Sequence, residues 1–231
     1  MRAGRIILGL CLVALPALAY IPPAAFWFEK MADRRAKMGM TRLSVSATCR
    51  QSEGPAHEER WLLKTPGMVR RESGPDEYLV CVHEKCAHKA AGKAVQRAPA
   101  WRYYPFLFLV EGRAAASRYQ KLAESLKVDL RRDTLARFHG RVAVVLGAKE
   151  WERDRPQFWL DKDNYLPLRL MLLEDKALVE ILWINWGSRQ TGDWVPAVIE
   201  VNRDGVNLER CEITAVDAVA PIDDAKFNLP E

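Results

Sequence analysis

Residues 165–186 read YLPLRLMLLEDKALVEILWINW, and this stretch decides the fold. Leu166, Leu168, Leu170 and Leu172 fall on one side of an extended chain and Met171 and Leu173 on the other, the period of two that marks a strand. Beyond Glu174-Asp175-Lys176 the alternation resumes, with Val179, Ile181 and Trp183 opposing Leu178, Leu182, Ile184 and Trp186. Two strands at hairpin distance with no helix between them predict an antiparallel sheet. A sheet with one solvated face alternates strictly between apolar and polar residues, and these strands do not. They need apolar surroundings on both sides. Helices packed on one face with crowded strands on the other would supply them, and so would an apolar cavity between sheet and helices.

The same period extends outward in both directions. Residues 41–50 place Leu43, Val45, Ala47 and Cys49 on one face and Arg42, Ser44, Ser46 and Thr48 on the other. Further strands are predicted over 60–65, 68–72, 77–83, 129–137, 140–147, 156–161, 192–202 and 205–215. Turn signals separate several of them, among them Thr65-Pro66-Gly67, Ser73-Gly74-Pro75, the charged run 161–164 and Asp204-Gly205. Helical spacing fits only two places. Residues 24–38 gather Trp27, Phe28, Met31, Ala32 and Met38 on one broad side, and residues 114–127 put Ala115, Tyr119, Leu122 and Leu126 on one stripe. No linker, repeat or low-complexity tract divides the chain. The fold class is α+β, one large curved antiparallel sheet with a few helices, and residues 20–231 are expected to form a single domain.

The ends and the composition bound the rest. Arg2 and Arg5 precede the apolar run 6–15, which closes on Pro16-Ala17-Leu18-Ala19. This pattern predicts a secretory signal peptide cleaved after Ala19 and an exported, periplasmic chain. Lipoprotein processing would need a small residue before the cysteine, but Leu10 precedes Cys11. Without residues 1–19 the net charge falls from +5 to +3 and four of the five cysteines remain. The basic residues are scattered, where a nucleic-acid binder concentrates them on one face, so no nucleic-acid partner is expected. An even cysteine count in an oxidising compartment predicts two disulfides.

Cys81-Val82-His83-Glu84-Lys85-Cys86-Ala87-His88 is the most chemical-looking segment. A two-residue hairpin at Glu84-Lys85 would bring Cys81, His83, Cys86 and His88 to one side as a tetrahedral zinc set. Glu-Lys is a poor pair for the primed turn that hairpin needs, and cysteines five apart can also pair across a four-residue turn. A Cys81–Cys86 disulfide is therefore the preferred reading, with the histidines as solvated surface residues. Cys49 then pairs with Cys211 by elimination, while Cys49 with Cys81 or Cys86 stays open. Asp161 and Asp163 read as a charged turn, and His57 and His139 as loop histidines. No nucleophile elbow, H-E-x-x-H or phosphate loop is present. Neither a cofactor nor enzymatic activity is expected.

Three segments resemble a known family. Lys64-Thr65-Pro66-Gly67-Met68-Val69-Arg70-Arg71-Glu72 is similar to the K-R-P-x-x-[FL]-x-W segment of LolA-like periplasmic lipoprotein carriers. Residues 222–230 resemble their closing D-x-x-x-F-x-[FL]-x-P stretch. Residues 158–163, continuing to Leu166-Pro167-Leu168, look like the L-W-L-D-x-x-x-x-L-P-L segment of the related MucB/RseB-type sensors. The resemblance spans most of the chain after residue 19. It implies an incomplete antiparallel barrel whose open side is covered by helices, with an apolar space for acyl chains between them. A chain of roughly 15 methylenes costs ~12 kcal/mol to hold in water, which calls for an enclosed cavity.

That resemblance makes the expected function that of a periplasmic carrier of lipoproteins or another acylated ligand towards the outer membrane. Acyl chains are the expected partners, with room for inner- and outer-membrane partner proteins. A sensor that binds a protein partner and a metal-binding protein built on the Cys81–His88 cluster are the alternatives. Leu43, Val45, Trp61 and Leu63 are expected to wall the cavity, or else to be plain core. Where the carriers have an arginine that holds the helical lid shut, this chain has Thr65, so lid control must differ, with Arg70 as a candidate substitute.

Overall fold

The computed structural model describes residues 21–111, 115–149, 151–152 and 154–229. The expected export segment lies outside them, as does its cleavage site. Helix α1 (Ala24–Lys37) leads into β1 (Arg42–Gln51), β2 (His57–Lys64), β3 (Met68–Gly74), β4 (Glu77–Val82), β5 (Lys85–Lys89) and β6 (Gln96–Ala98). A 3-10 turn (Ala100–Arg102), α2 (Tyr104–Val110) and α3 (Ala115–Ser125) follow. The second run of strands is β7 (Asp133–Phe138), β8 (Arg141–Leu146), β9 (Gln157–Asp161), β10 (Pro167–Glu174), β11 (Ala177–Ile184), β12 (Val198–Arg203) and β13 (Val206–Asp217), and a 3-10 turn (Asp224–Phe227) comes last.

All thirteen strands join one open antiparallel sheet in the order β6-β5-β4-β3-β2-β1-β13-β12-β11-β10-β9-β8-β7. Consecutive strands pair throughout except β6 and β7, and one non-consecutive pairing closes the order at a seam, where β1 meets β13 with Cys49 opposite Cys211. The two edges are β6 and β7, which are also the strands on either side of α2 and α3. The chain therefore crosses from one edge to the other through those helices, and the crossing covers the open side. This is the large curved antiparallel sheet that the strand spacing implies, left open as the family resemblance implies.

Helix α1 buries Ala24, Trp27, Phe28, Met31, Ala32 and Arg35, and its last turn carries Arg34, Arg35 and Lys37, which suit the negative end of the helix dipole. Every residue of α2 is buried, as expected of a helix that is apolar all round. Its side chains meet an aromatic lattice. Phe106 stands edge-on to Trp61, and Phe108 stacks on Phe158 while standing edge-on to Trp183. Trp183 Nε1 donates to the Pro105 carbonyl at 2.9 Å. Helix α3 packs on α1 and sets Tyr119 against Phe108.

The two-sided strands divide their surroundings. Leu168, Leu170 and Leu172 face the helices, and Val179, Ile181 and Trp183 face the same core. Met171 is buried on the opposite face, outside the apolar cluster that packs on the helices. There, Arg169 lies over Trp159 at 4.9 Å and ion-pairs with Glu180, so long side chains of adjacent strands shield it. Helix packing on one face and crowding on the other account for both sides.

Several boundaries differ from the sequence expectation. Strand β12 starts at Val198, six residues later than expected, because Gly187 and Gly192 turn the chain with positive φ and Pro196 offers no ladder N–H. Residues 129–132 form a turn held by Asp129 Oδ1 accepting from the Arg131 N–H, and β7 begins only at Asp133. Strands β5 and β6 and helix α2 had no counterpart in the expected elements.

Candidate binding cleft and helix latch

The inner face of the sheet changes character along the strands. Its apolar part includes Leu43, Val45, Trp61 and Leu63, all 0–1% exposed and packed beneath the helices. Continuing the same alternation, β2 presents Glu59 and His57, β3 presents Arg71 and Ser73, β5 presents His88 and β13 presents Glu209. These residues line an open pocket of about 300 Å³ with Gln51, Leu79 and Arg102. A second pocket of about 340 Å³ adjoins it, sharing Gln51, Arg71, Arg102 and Glu209 and walled by Trp101, Pro105, Val201 and Leu208. Together they form one cleft of mostly polar lining, with an apolar margin of Trp101, Pro105, Val201 and Leu208 near the start of α2 and Ser52 and Glu53 beside it.

Arg71 organises the floor. Its Nε and Nη2 donate to the two Glu59 oxygens, each at 2.8 Å, and its Nη1 and Nη2 donate to Glu209 at 2.9 and 2.6 Å. Trp61 Nε1 adds a 2.7 Å bond to Glu59 Oε2, and His57 Nε2 lies 3.1 Å from Oε1. Burial alone would raise the Glu59 carboxyl. Arg71, by charge and by hydrogen bonds, outweighs burial and holds it below its ordinary value. Arg71 is likewise held above its ordinary value by Glu209 and Glu59 despite burial. Burial and the neighbouring Arg71 lower Arg102, and burial together with Arg102 lowers His88. Among the described residues no carboxylate lies within ion-pair distance of Arg102, whose guanidinium sits 5.5 Å from the Trp101 ring centre.

A second polar group ties the helices to the sheet. Arg35 of α1 is buried, and its guanidinium donates to the carbonyls of Leu109 in α2 at 3.2 Å and of Asp193 and Trp194 in the β11–β12 connection, each at 3.1 Å. Burial pushes its pKa down to about 10, so it stays charged at neutral pH. Beside it, Glu111 at the end of α2 accepts from the Tyr103 hydroxyl at 2.7 Å, lies 3.2 Å from His83 Nδ1 and meets Arg118 of α3 at 3.4 Å. The Gly67 N–H donates to the Val110 carbonyl at 3.0 Å, which docks the β2–β3 turn on the end of α2.

The expected site residues fall as follows. Thr65 Oγ1 reaches the carbonyls of Met40 and Thr41, tying its turn to the α1–β1 connection. Arg70 faces away from the helices, bonding Glu72 and the Lys226 carbonyl and lying over Tyr78, so it anchors the last 3-10 turn. The structure pairs Cys49 with Cys211 and Cys81 with Cys86. The β4–β5 turn is His83-Glu84, one residue earlier than the zinc arrangement requires, which sets Cys81 directly opposite Cys86. Their sulfurs bond each other, and the tetrahedral set of Cys81, His83, Cys86 and His88 does not form. His83 and His88 are half-buried: one contacts buried Glu111 and the other lines the open cleft. His57 begins a strand and lines the cleft as well. Asp161 accepts from Arg141 and from the Asp163 and Asn164 N–H groups, the work of a turn cap.

Sequence reading missed Arg35, Glu59, Arg71, Arg102, Glu111 and Glu209. Two of them carried a signal. Arg35 continues the Phe28–Met31 stripe at helical spacing, and Glu59 shares the inward parity of Trp61 and Leu63.

No protein-family model matches the sequence, and no curated protein matches it. Solved structures do match in fold. A LolA superfamily protein from Nitrosomonas europaea aligns with 90% of this chain and 99% of its own at a TM-score of 0.50 and 9% identity. A DUF1329 family protein from Desulfovibrio piger aligns with 90% and 98% at a TM-score of 0.55 and 13% identity. The MucA/MucB complex of Pseudomonas aeruginosa gives 90% and 61% at 18% identity, with a TM-score of only 0.33. The fold is LolA-like.

Proposed function

We propose that this chain is an exported carrier that holds the acyl chain of a lipoprotein or another acylated ligand between the sheet and the helices. The observation that carries this reading is the helical cover itself. Helix α2 is apolar all round and fills the inner face with Phe106, Leu107 and Phe108, yet few polar ties hold it. Among the described residues they are the Arg35 bond to Leu109, the Trp183 bond to Pro105 and the Gly67 bond to Val110. The fold likeness and the three resembling sequence segments agree with such a cover acting as a lid.

The energetics suit reversible loading. A 15-methylene chain gains ~12 kcal/mol on leaving water, but in the closed state the space is occupied by side chains of α2. Loading exchanges one apolar burial for another, so the net affinity is a difference between two large terms. That difference permits release to an acceptor. The Cys49–Cys211 bond joins the two halves of the sheet at the seam and keeps the platform fixed while the lid moves. No helix among the described residues is long and apolar enough to cross a membrane.

Native mass spectrometry of the full chain, exported into a bacterial periplasm, tests the reading. Co-purified lipid or acylated polypeptide is the expected result. A clean unliganded mass, together with no uptake of added hexadecanoate, would sink it.

A further inference from the structure

The cleft at the start of α2 contains a charge without a partner. Arg71 is saturated by Glu59 and Glu209, whereas the Arg102 guanidinium makes no hydrogen bond to a described side chain and no ion pair among the described residues. Arg102 borders both pockets, and Gln51 shares them with it. Ser73 and His88 face the polar pocket, and none of these three has a described side-chain hydrogen bond either. His88 is held towards its neutral form, so it can present a ring N–H without adding charge. Glu77 lines the polar pocket and Glu53 the adjoining one, so the cleft carries four carboxylates against two arginines, and it is the local charge of Arg102, not a net field, that would hold an anion.

The other wall gives the direction of the ligand. Trp101, Pro105, Val201 and Leu208 line one side of the adjoining pocket, with Ser52 and Glu53 also in its lining. Pro105 lies in the first turn of α2, and its carbonyl accepts from Trp183 in the packed core. That bond marks where the apolar margin of the pocket meets the packed core. Polar donors at one end and an apolar path at the other fit an amphiphile.

We propose that Arg102, supported by Gln51, Ser73 and His88, binds the anionic carboxylate or phosphate headgroup of the amphiphile whose tail enters beneath α2. This deepens the acyl-carrier reading and rests on it. Arg102 supplies a planar fork of donors matched to either oxyanion. Trp101 lies beside the guanidinium and forms part of the apolar wall, so one segment, the 3-10 turn before α2, presents both halves of the ligand's chemistry.

Calorimetric titration of the full chain with four probes tests the proposal: hexadecanoate, hexadecyl phosphate, uncharged monopalmitoylglycerol and inorganic phosphate. The wild type should bind one or both anionic amphiphiles at least tenfold more tightly than the uncharged one, and the tighter of the two names the headgroup. Arg102→Gln should erase that preference, a loss of about 10- to 100-fold for the anions, the range of a charge-assisted hydrogen bond. Arg102→Lys should keep part of it, and Trp101→Ala should weaken all three amphiphiles together. Equal binding of charged and uncharged amphiphiles, or a preference that survives Arg102→Gln in a folded protein, would overturn the headgroup assignment and leave the acyl reading standing. Inorganic phosphate binding as tightly as the amphiphiles would also overturn it. If no amphiphile binds, the carrier reading falls with it.

Discussion

Replacing Arg35 with methionine should unlatch the helices without dismantling the sheet. The guanidinium makes three bonds to backbone carbonyls, one of them on α2. A hydrogen bond from a charged donor contributes about 1.5–3 kcal/mol, and the desolvation of a buried cation offsets several kcal/mol of the gross gain. The net contribution is therefore ~3 kcal/mol, equivalent to roughly 150-fold in an opening equilibrium. Methionine fills much of the same apolar space, which confines the loss to polar contacts. Native-state hydrogen exchange reads the result directly. Amides of 107–111 should lose about two orders of magnitude of protection, and those of β1, β8 and β13 much less. Acyl-probe association should accelerate if opening limits uptake. Equal loss of protection in α2 and in the sheet would refute the latch, because it would make Arg35 a contributor to global stability alone.

Other perturbations probe separate parts of the account. Glu59→Gln leaves Arg71 half-neutralised in a buried site and should cost ~3 kcal/mol at pH 7 by urea denaturation. The Glu59 carboxyl is depressed in the folded state, so its stabilisation is complete above the unfolded value of ~4.3 and fades as pH falls through the lower folded value. The gap between variant and wild type should close in that acid range, and a gap that stays constant there would contradict the assignment. Gly67 has a φ of +66°, and an added Cβ would lie 2.0 Å from His83 Nδ1. Gly67→Ala should therefore cost more than ~2 kcal/mol, and adding His83→Ala should recover the clash but not the ~1 kcal/mol of left-handed strain. The Cys49–Cys211 bond spans 162 residues and Cys81–Cys86 only 5. Chain entropy then predicts losses of ~5 and ~2 kcal/mol on removing each pair, measured as unfolding midpoints, with the order reversed if the seam is not held by the first.

Much of the sheet was legible because alternation survives in the sequence. Leu43, Val45, Ala47 and Cys49 are all fully buried, as their parity implied. The α1 stripe was legible for the same reason. Helix α2 was not, because Tyr104–Val110 contains no polar residue to set a period. The cleft was hidden for a different reason. A charged residue on a strand reads as solvated, and the partners that bury Arg71 lie 12 and 138 residues away. Only the closure of β1 on β13 and the pairing of β2 with β3 bring Glu59, Arg71 and Glu209 together. The β4–β5 hairpin shows the same limit on a smaller scale. A shift of one residue in the turn converts a tetrahedral ligand set into a disulfide, with His83 beside Glu111 and His88 in the cleft.

The central claim is that an acyl chain lies between α2 and the inner face of the sheet. Photolabelling with a hexadecanoate that carries a diazirine near its methyl end, followed by peptide mapping, tests it most directly. Label is expected on 104–110 and on inward residues of β10 and β11 such as Leu170, Ile181 and Trp183, with competition by unlabelled hexadecanoate. Label confined to outward-facing residues such as Leu173 and Val206, or label that unlabelled hexadecanoate does not displace, would contradict it.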